Sequence, residues 1–451
     1  MALKPRTPDP RANISFWQAV AMGIGAMVGA GIFALLGQAG AIAGSAVYIS
    51  FLIGGVIALL SGYSLGRLGA RYPAAGGMVE YLVQGFGPGI FSGAMSLMMF
   101  AAALVSISLV ARTFGIYAFS LTPAGSPPVL TDVFTAGIIL FFVLLNLNGA
   151  RSSARVESII VFVKVAALGS FAVAALFFAD FERLSPATYP PVNDIFYSLA
   201  ITFFAYEGFR VITNAAEDIA DPAKTLPRAI MTAIFLVMIL YVMVAIAVYG
   251  NLPAGDVVKA KDFALAEAAR PAFGNLGFRI MAAAALLSTA SAINAALYAV
   301  TNVTYQLAKQ GELPSAFGKP MAHSREGLVI SGGVILVISL LFNLGEIAVI
   351  GSISILGIHC ITHIGHLRLI KQTGANLLLI LAAIAANATA VALAVYYLAQ
   401  TQAVLLYGIM GGFGSMFALE FLIHKFSGRR IVARIINHRR HERYGAAEKD
   451  S

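Results

Sequence analysis

Long uncharged apolar runs dominate this sequence. Each run has about 20 residues, the length that an α-helix needs to cross the hydrocarbon core of a bilayer. Only 11% of the residues are charged and 59% are hydrophobic, whereas a soluble domain has roughly 25% charged residues. We therefore predict an all-α polytopic membrane protein. Its twelve transmembrane helices are expected near residues 15–37, 44–66, 87–118, 129–149, 156–179, 194–215, 227–250, 277–308, 328–344, 347–367, 375–398 and 403–424.

Lysine and arginine residues concentrate on one side of the predicted spans. With the N-terminus inside, the cytoplasmic segments hold most of them, whereas the loops near 38–43, 119–128 and 399–402 hold none. This asymmetry follows the positive-inside rule. It predicts an inner or plasma membrane protein with both termini in the cytoplasm. The net charge of +9 therefore indicates topology rather than nucleic-acid binding. We expect lipid around the helices and no obligatory protein partner.

Residues 23–33 (GIGAMVGAGIF) place four glycines in the middle of the first span. Glycine weakens a helix, and freed backbone groups at that depth are tolerated only where they line a cavity or contact protein. One interpretation is an unwound helix centre that offers backbone groups to a solute. The other is a surface for close helix packing, because Gly25 and Gly29 form a GxxxG pair. The sequence of this span alone leaves both open.

A second interruption lies in the sixth span, at residues 202–210 (TFFAYEGFR). The first and sixth spans each begin a group of five. Two broken helices at matching places predict an inverted-repeat transporter with its site at the membrane midplane. The resulting division of the chain is a cytoplasmic segment (1–13), a first repeat (14–179), a second repeat (192–368), two further helices (374–424) and a basic cytoplasmic tail (425–451).

Several motifs resemble those of the amino acid–polyamine–organocation (APC) superfamily, and in particular its proton-coupled amino acid transporters. They are residues 25–33 (GAMVGAGIF), 203–209 (FFAYEGF), 214–219 (NAAEDI) and 221–230 (DPAKTLPRAI). The likeness extends from about residue 14 to residue 424. It implies the LeuT-type fold, a 5+5 inverted repeat with discontinuous helices 1 and 6 plus two more helices, and transport by alternating access.

Lys164 lies inside the fifth span, where a charged lysine costs about 2.5–3.5 kcal/mol and needs a partner or a function. The resemblance implies that its amine occupies the place where sodium-coupled relatives bind Na⁺. There it would face Gly25 on the first helix and Ser288 or Ser291 on the eighth. Our hypothesis is that protonation of Lys164 drives the cycle, with no bound Na⁺ and no other cofactor. The alternative is a lysine that extends to the membrane surface from near a helix end.

The two interruptions also suggest the substrate. Free N–H groups at a broken helix end suit a carboxylate, and free carbonyls suit an ammonium, so an α-amino acid zwitterion fits both. Large aromatic residues here are walls of the site or simply packing residues. The candidate substrate-binding residues are Met27, Val28, Gly29, Ala30, Gly31, Phe203, Phe204, Tyr206, Glu207 and Gly208.

Glu207 and Arg210 depart from the pattern that the resemblance implies, in which these places are uncharged. Glu207 could select a cationic or amine-rich substrate. The two could pair, because residues at i and i+3 share one helix face. Arg210 could also belong to a cytoplasmic gate with Glu217 or Asp218.

Three histidines, His359, His363 and His366, recur at helical spacing in the tenth span. Histidines on one face can ligate a metal, but no carboxylate or second cysteine joins them in that segment, so we expect no metal site. Interfacial packing or a protonation-sensitive gate remain as alternatives. Elsewhere, residues 254–275 are a candidate outer lid.

The sequence contains no nucleophile–base–orienter set, so we do not expect an enzyme. The predicted function is a secondary transporter that imports amino acids by proton symport. The alternatives are an amino acid or polyamine exchanger and a sensor that binds an amino acid without transport.

Overall fold

The computed structural model describes residues 14–427 except 75, 149–153, 220, 311–314 and 323. This part of the chain is almost entirely helical. Its helices are α1 (Phe16–Ala43), α2 (Val47–Arg71), α3 (Met78–Phe86), α4 (Ile90–Ser120), α5 (Val129–Leu147), α6 (Ala154–Leu176), α7 (Val192–Tyr197), α8 (Leu199–Tyr206), α9 (Val211–Asn214), α10 (Pro222–Asn251), α11 (Ala254–Lys259), α12 (Ala264–Glu267), α13 (Arg270–Gln310), α14 (Glu326–Leu341), α15 (Leu344–Leu367), α16 (Ile370–Thr373), α17 (Leu377–Thr401) and α18 (Ala403–Ser427).

Short 3₁₀ turns and one small hairpin join these helices. The 3₁₀ turns are Gly44–Ala46, Phe181–Leu184, Pro186–Thr188, Glu207–Arg210 and Ser315–Gly318. The strands β1 (Pro320–Met321) and β2 (Ser324–Arg325) pair antiparallel. α13 is kinked at Gly274, whose φ of 62° is a conformation that glycine adopts without strain.

The helices have the length and composition of membrane spans. Within the described residues, ten helical stretches are long and apolar enough to cross a bilayer, and the apolar helices Phe16–Gly29 and Glu326–Leu341 are shorter. The prediction of an all-α polytopic membrane protein is confirmed. The count of twelve spans and the repeat remain predictions.

The prediction that the first span is unwound is wrong. α1 runs without a break from Phe16 to Ala43, so the N–H groups of residues 28–31 lie inside a continuous helix. Its glycines serve close packing instead. A Cβ atom added at Gly25 would lie 2.6 Å from Val161 Cγ2, and one at Gly29 would lie 2.6 Å from the Cβ of Ala292. Neighbouring helices thus approach the α1 backbone where a side chain would keep them away.

The second interruption is a tightening of the helix rather than an unwound stretch. After α8 the chain forms the 3₁₀ turn Glu207–Arg210 and then continues into α9. The Glu207 N–H bonds to the carbonyl of Phe204, three residues back instead of four. At this turn Gly208 meets α1, because a Cβ added there would lie 2.5 Å from the carbonyl carbon of Ala26.

α1 lies at the centre of the molecule, in contact with α10, α8, α13 and α6. Its start is fixed by Ser15, whose side chain accepts a hydrogen bond from the Gln18 N–H. The Ile14 N–H donates to the Asp218 carbonyl at 3.0 Å, which joins this start to the loop after α9. The central position of α1 explains why most of the buried charges described below bond to it or lie beside it.

Candidate functional site

An open cavity of about 1480 Å³ lies between α1, α4, α6, α13 and the 3₁₀ turn Glu207–Arg210. In the sequence, Met98, Met99 and Phe100 of the third predicted span could touch a solute or pack in the core, and α4 brings Met99 and Phe100 to this cavity. The predicted site residues on its wall are Gly25, Met27, Gly31, Lys164, Phe204, Glu207, Gly208, Arg210 and Ser291.

The other predicted site residues lie behind this wall or beyond it. Glu217 and Asp218 are exposed in the loop after α9, and the side chain of Ala30 lies outside the described part of the structure. Those that are buried but absent from the wall are Val28, Gly29, Phe203, Tyr206 and Ser288.

Lys164 is buried at the cavity wall, with 3% of its surface exposed. Its Nζ atom donates a hydrogen bond of 2.6 Å to the carbonyl oxygen of Gly25. The amine therefore points toward α1 and does not extend to the membrane surface. Nearby, the Ser288 hydroxyl donates to the Val28 carbonyl at 3.0 Å. A helix carbonyl has two lone pairs, so α1 can accept these bonds without unwinding.

Tyr241 on α10 is a contact residue that sequence reasoning missed. Its hydroxyl lies 2.6 Å from the carbonyl oxygen of Met27 and 3.3 Å from that of Ala205. It thus ties α1 and α8 to α10. The available signal was a tyrosine in the middle of an aliphatic span, where a buried hydroxyl needs a partner.

Glu207, which is buried, and Arg210, which is partly exposed, form an ion pair across one helical turn. The other carboxylate oxygen of Glu207 lies 3.0 Å from Nε2 of His359 on α15. The rings of Phe203 and Phe209 pack against the same imidazole. Because the carboxylate lies between a guanidinium and an imidazole, its charge is compensated inside the protein. The sequence indicated the pair but missed His359 as a partner, although its periodicity had marked it.

The cytoplasmic gate of Arg210 with Glu217 or Asp218 stays a prediction. Arg210 pairs with Glu207, which is three residues away on the same turn. Asp218 contributes its backbone carbonyl to Ile14. The i, i+3 geometry brings the two charges together without any loop movement.

The two ends of the cavity differ. Residues 31–40 of α1 are all buried, and α11 and α12 pack against this helix. There the Gln38 side chain donates to Asp262 at 2.6 Å. At the other end, the lining residues Gly76 and Asn214 are partly exposed. The cavity is closed under the segment predicted as an outer lid and opens where α1 begins.

Comparisons with known proteins decide the class of this molecule. A family model described as amino acid permease matches residues 14–414. The chain belongs to the amino acid permease family. This confirms the resemblance to the APC superfamily, and the protein is a multi-pass membrane transporter of small molecules rather than an enzyme.

Relatives of this permease come from bacteria, an archaeon and a plant. An uncharacterized protein of Methanocaldococcus jannaschii is 36% identical over 419 residues, which cover 92% of the permease and 96% of the relative. The inner membrane transport protein YbaT of Escherichia coli is 36% identical over 366 residues, with 81% and 85% covered. The serine/threonine exchanger SteT of Bacillus subtilis is 24% identical over 319 residues, with 69% and 71% covered.

The permease cavity combines few charged groups with a largely apolar wall. α13 contributes the small side chains of Ala292, Ala295 and Ala296. Lys164 supplies an amine, while Glu207 and Arg210 supply a compensated pair. Such a wall suits a small solute that carries both charges and an apolar or short side chain.

Proposed function

We propose that this permease imports small or apolar α-amino acids together with protons by alternating access. The observation that carries the proposal is the buried Lys164 amine, bonded to the Gly25 carbonyl at the cavity wall. An ammonium there can take the place of a bound Na⁺, and loss of its proton removes its positive charge and so weakens the hydrogen bond between α6 and α1. Proton binding would thereby favour one arrangement of these helices over the other.

The cavity wall supports a zwitterionic substrate. Since the N–H groups of residues 28–31 lie within a continuous helix, the carboxylate is expected to approach the cationic side chains of Lys164 or Arg210. The ammonium is expected near Glu207. The alanines of α13 leave room for a short side chain.

The proposal includes the finer architecture. Twelve spans, with the 5+5 repeat of the LeuT type and both termini in the cytoplasm, agree with the positions of the described helices and with the basic loops. In that orientation the open end of the cavity faces the cytoplasm. The outer end lies under α11 and α12.

The test is uptake by the full-length protein in proteoliposomes. Substrates are first found by thermal stabilisation with the twenty amino acids and common polyamines, because a ligand that binds the folded state raises its apparent stability. An inward proton gradient is expected to drive accumulation that a protonophore abolishes and that replacement of Na⁺ by K⁺ leaves unchanged. Lys164→Ala should lose accumulation, whereas the exposed control Lys259→Ala should keep it. Accumulation by Lys164→Ala down a pH gradient would refute the coupling role.

An exchanger is the second candidate, because one relative is named as a serine/threonine exchanger. It predicts uptake only into vesicles preloaded with a countersubstrate. Binding without any uptake would indicate a sensor instead. If Glu207→Gln abolishes lysine or polyamine uptake and leaves neutral substrates unaffected, Glu207 selects for amines.

A further inference from the structure

Three buried histidines on α15 lead away from the cavity. His359, His363 and His366 are each at most 1% exposed, although α15 is one of the apolar membrane-spanning helices. Burying polar ring nitrogens without partners is unfavourable. The transport cycle proposed above uses none of these histidines, and none of them lines the cavity.

The first histidine contacts the cavity's ion pair. His359 Nε2 lies 3.0 Å from the Glu207 carboxylate. A carboxylate only accepts hydrogen bonds, so Nε2 carries a proton. Among the described residues, no group bonds to the other nitrogen, Nδ1, although it is buried. This atom has a lone pair that is free to take a further proton.

The second and third histidines share one hydroxyl. His363 Nδ1 lies 2.9 Å from Ser64 Oγ, and His366 Nδ1 lies 2.8 Å from the same oxygen. His366 Nε2 lies 2.9 Å from Thr373 Oγ1. Thr373 ends α16, in the predicted cytoplasmic loop, and is partly exposed. These contacts form a continuous chain from His363 to that loop.

The contacts of Thr373 determine which atom of each hydrogen bond in this chain is the donor. The Thr373 hydroxyl also lies 3.2 and 3.3 Å from two carbonyls of the preceding turn. Because carbonyls only accept, the hydroxyl donates to them and accepts from His366 Nε2. Neutral His366 then accepts at Nδ1, so the Ser64 hydroxyl donates to it. Ser64 in turn accepts from His363 Nδ1, which carries the proton of that ring.

The contacts of Asn387 and Ser61, on the other side of the His363 ring, independently give the same assignment of donors and acceptors. Asn387 Nδ2 lies 2.8 Å from the Ala383 carbonyl and 3.0 Å from Ser61 Oγ. The carbonyl identifies this atom as the donor, so Ser61 accepts from it. The Ser61 hydroxyl can then donate to His363 Nε2, 3.2 Å away. His363 again carries its proton on Nδ1. These tautomers follow from the hydrogen-bond network.

We propose that this chain is an exit path for a proton, separate from the path of the solute. A proton that Glu207 takes up at the cavity wall passes to His359 Nδ1 when the His359 side chain turns this atom toward the carboxylate. After the side chain turns back, Nδ1 gives the proton to His363 Nε2. His363 releases its Nδ1 proton to Ser64, whose hydroxyl proton moves to His366 Nδ1. His366 then releases its Nε2 proton to the Thr373 hydroxyl, and Thr373, which is partly exposed, gives its own hydroxyl proton to water. Each imidazole gains one proton and loses one, and the chain resets by rotation of its hydroxyls and rings.

One step in the chain lacks a direct hydrogen bond. The ring centres of His359 and His363 are 5.7 Å apart. One bridging water or a rotation of the His359 ring spans such a gap. Ser61, which already bonds to His363, is a second acceptor for the incoming proton.

The charges near the two ends of the chain differ. Arg67 donates to the Gly374 carbonyl beside the Thr373 end, whereas at the other end the charge of Arg210 is compensated by Glu207. The charged and titratable side chains on the elements packed against α15 are Tyr48, Tyr63, Arg67 and Arg71 on α2, Glu80 and Tyr81 on α3, Arg112 and Tyr117 on α4, Tyr206 on α8, Glu207 and Arg210 beyond it, and Tyr396 and Tyr397 on α17.

The first experiment reads the tautomers directly. Nitrogen NMR of the full-length protein with ¹⁵N-labelled histidine, in lipid nanodiscs, is expected to show N–H at Nδ1 of His363 and at Nε2 of His366. Single histidine-to-glutamine variants assign the signals. The reverse pair of tautomers would overturn the proposed direction. This measurement needs no substrate, so it stands apart from the proposed symport on which the exit path rests.

The second experiment interrupts the path. Ser64→Ala removes the shared hydroxyl. Ser50→Ala is the matched control, because Ser50 is buried on the same helix and its hydroxyl, among the described residues, bonds to the Ile195 carbonyl, at 3.0 Å. Substrate-driven proton entry is followed with a pH-sensitive dye in proteoliposomes. Ser64→Ala should lower it at least tenfold, with unchanged thermal stabilisation by substrate, and Ser50→Ala should match the wild type.

Proton entry at the wild-type rate in Ser64→Ala would overturn the path. If that variant folds poorly, His366→Gln cuts the same chain one link later and is expected to give the same loss. Uptake of substrate without proton entry in the wild type would refute the proposed symport instead. In that case the tautomers of His363 and His366 would still test the assigned donors and acceptors of the hydrogen-bond chain.

Discussion

Two tyrosines on α10 differ in what their hydroxyls do. The Tyr241 hydroxyl bonds to the Met27 carbonyl at 2.6 Å. The Tyr249 hydroxyl, two turns later, is buried but has no hydrogen-bond partner among the described residues. Tyr241 thus joins three helices through its hydroxyl. Tyr249 instead buries a hydroxyl that has no hydrogen-bond partner among the described residues. A buried hydroxyl stabilises only when it is bonded.

At the residue scale we predict opposite outcomes for the two phenylalanine variants. Tyr241→Phe should lower the free energy of unfolding by about 0.6–1.7 kcal/mol, the range found for hydrogen bonds between membrane helices. Tyr249→Phe should be neutral or slightly stabilising, because it removes an unpaired group. Thermal unfolding in the same detergent compares them. Equal losses in both variants would contradict the assignment of the Met27 bond.

At the element scale, the 3₁₀ turn Glu207–Arg210 concentrates the polar chemistry of an otherwise apolar helix. It begins with a carboxylate and ends with a guanidinium three residues later, so the two groups meet. Gly208 lets the turn approach the α1 backbone. The turn therefore places a compensated charge pair at the cavity wall, where the Glu207 carboxylate alone would be a buried charge without its guanidinium partner.

A double-mutant cycle tests this turn. Arg210→Met should destabilise the protein by about 3 kcal/mol, because it leaves the buried Glu207 carboxylate without its guanidinium partner. Glu207→Gln should cost less, because Arg210 is partly exposed at the cavity wall. The double variant should recover much of the loss. Chemical unfolding of the four proteins gives the coupling energy. Additive losses would show that the pair contributes nothing as a unit.

At the scale of the whole molecule, the cavity has one closed end and one open end. Leu35 lies at the closed end, where α1 is buried under the segment that holds α11 and α12. Ala299 lies farther toward the end of α13, on the same cavity wall, and is partly exposed. Alternating access requires such an asymmetry to reverse during the cycle.

Cysteine labelling reports which side is open. Cys360 is the sole cysteine of the sequence, so a Cys360→Ser background is free of thiols. In it, Ala299→Cys should react with a membrane-impermeant thiol reagent in inside-out vesicles and be shielded by substrate. Leu35→Cys should be the less reactive. Faster reaction of Ala299→Cys in right-side-out vesicles would reverse the proposed orientation.

The sequence by itself determined the class of the protein and the depth of its main charges. Apolar runs of membrane length and sparse charges specify helices in lipid, because no other local structure satisfies the backbone of a single segment there. The same counting placed Lys164 and Glu207 inside the spans. The twelve-span count and the function of each site residue remain predictions.

Only the tertiary structure decided what the glycines of α1 do and which groups the charges meet. Glycine weakens an isolated helix, but packing against α6 and α13 stabilises α1 without a break. Glu207 and His359 are 152 positions apart, so no local pattern could pair them. A helix reports its own periodicity in sequence, whereas the partner of each buried polar group depends on how distant helices pack.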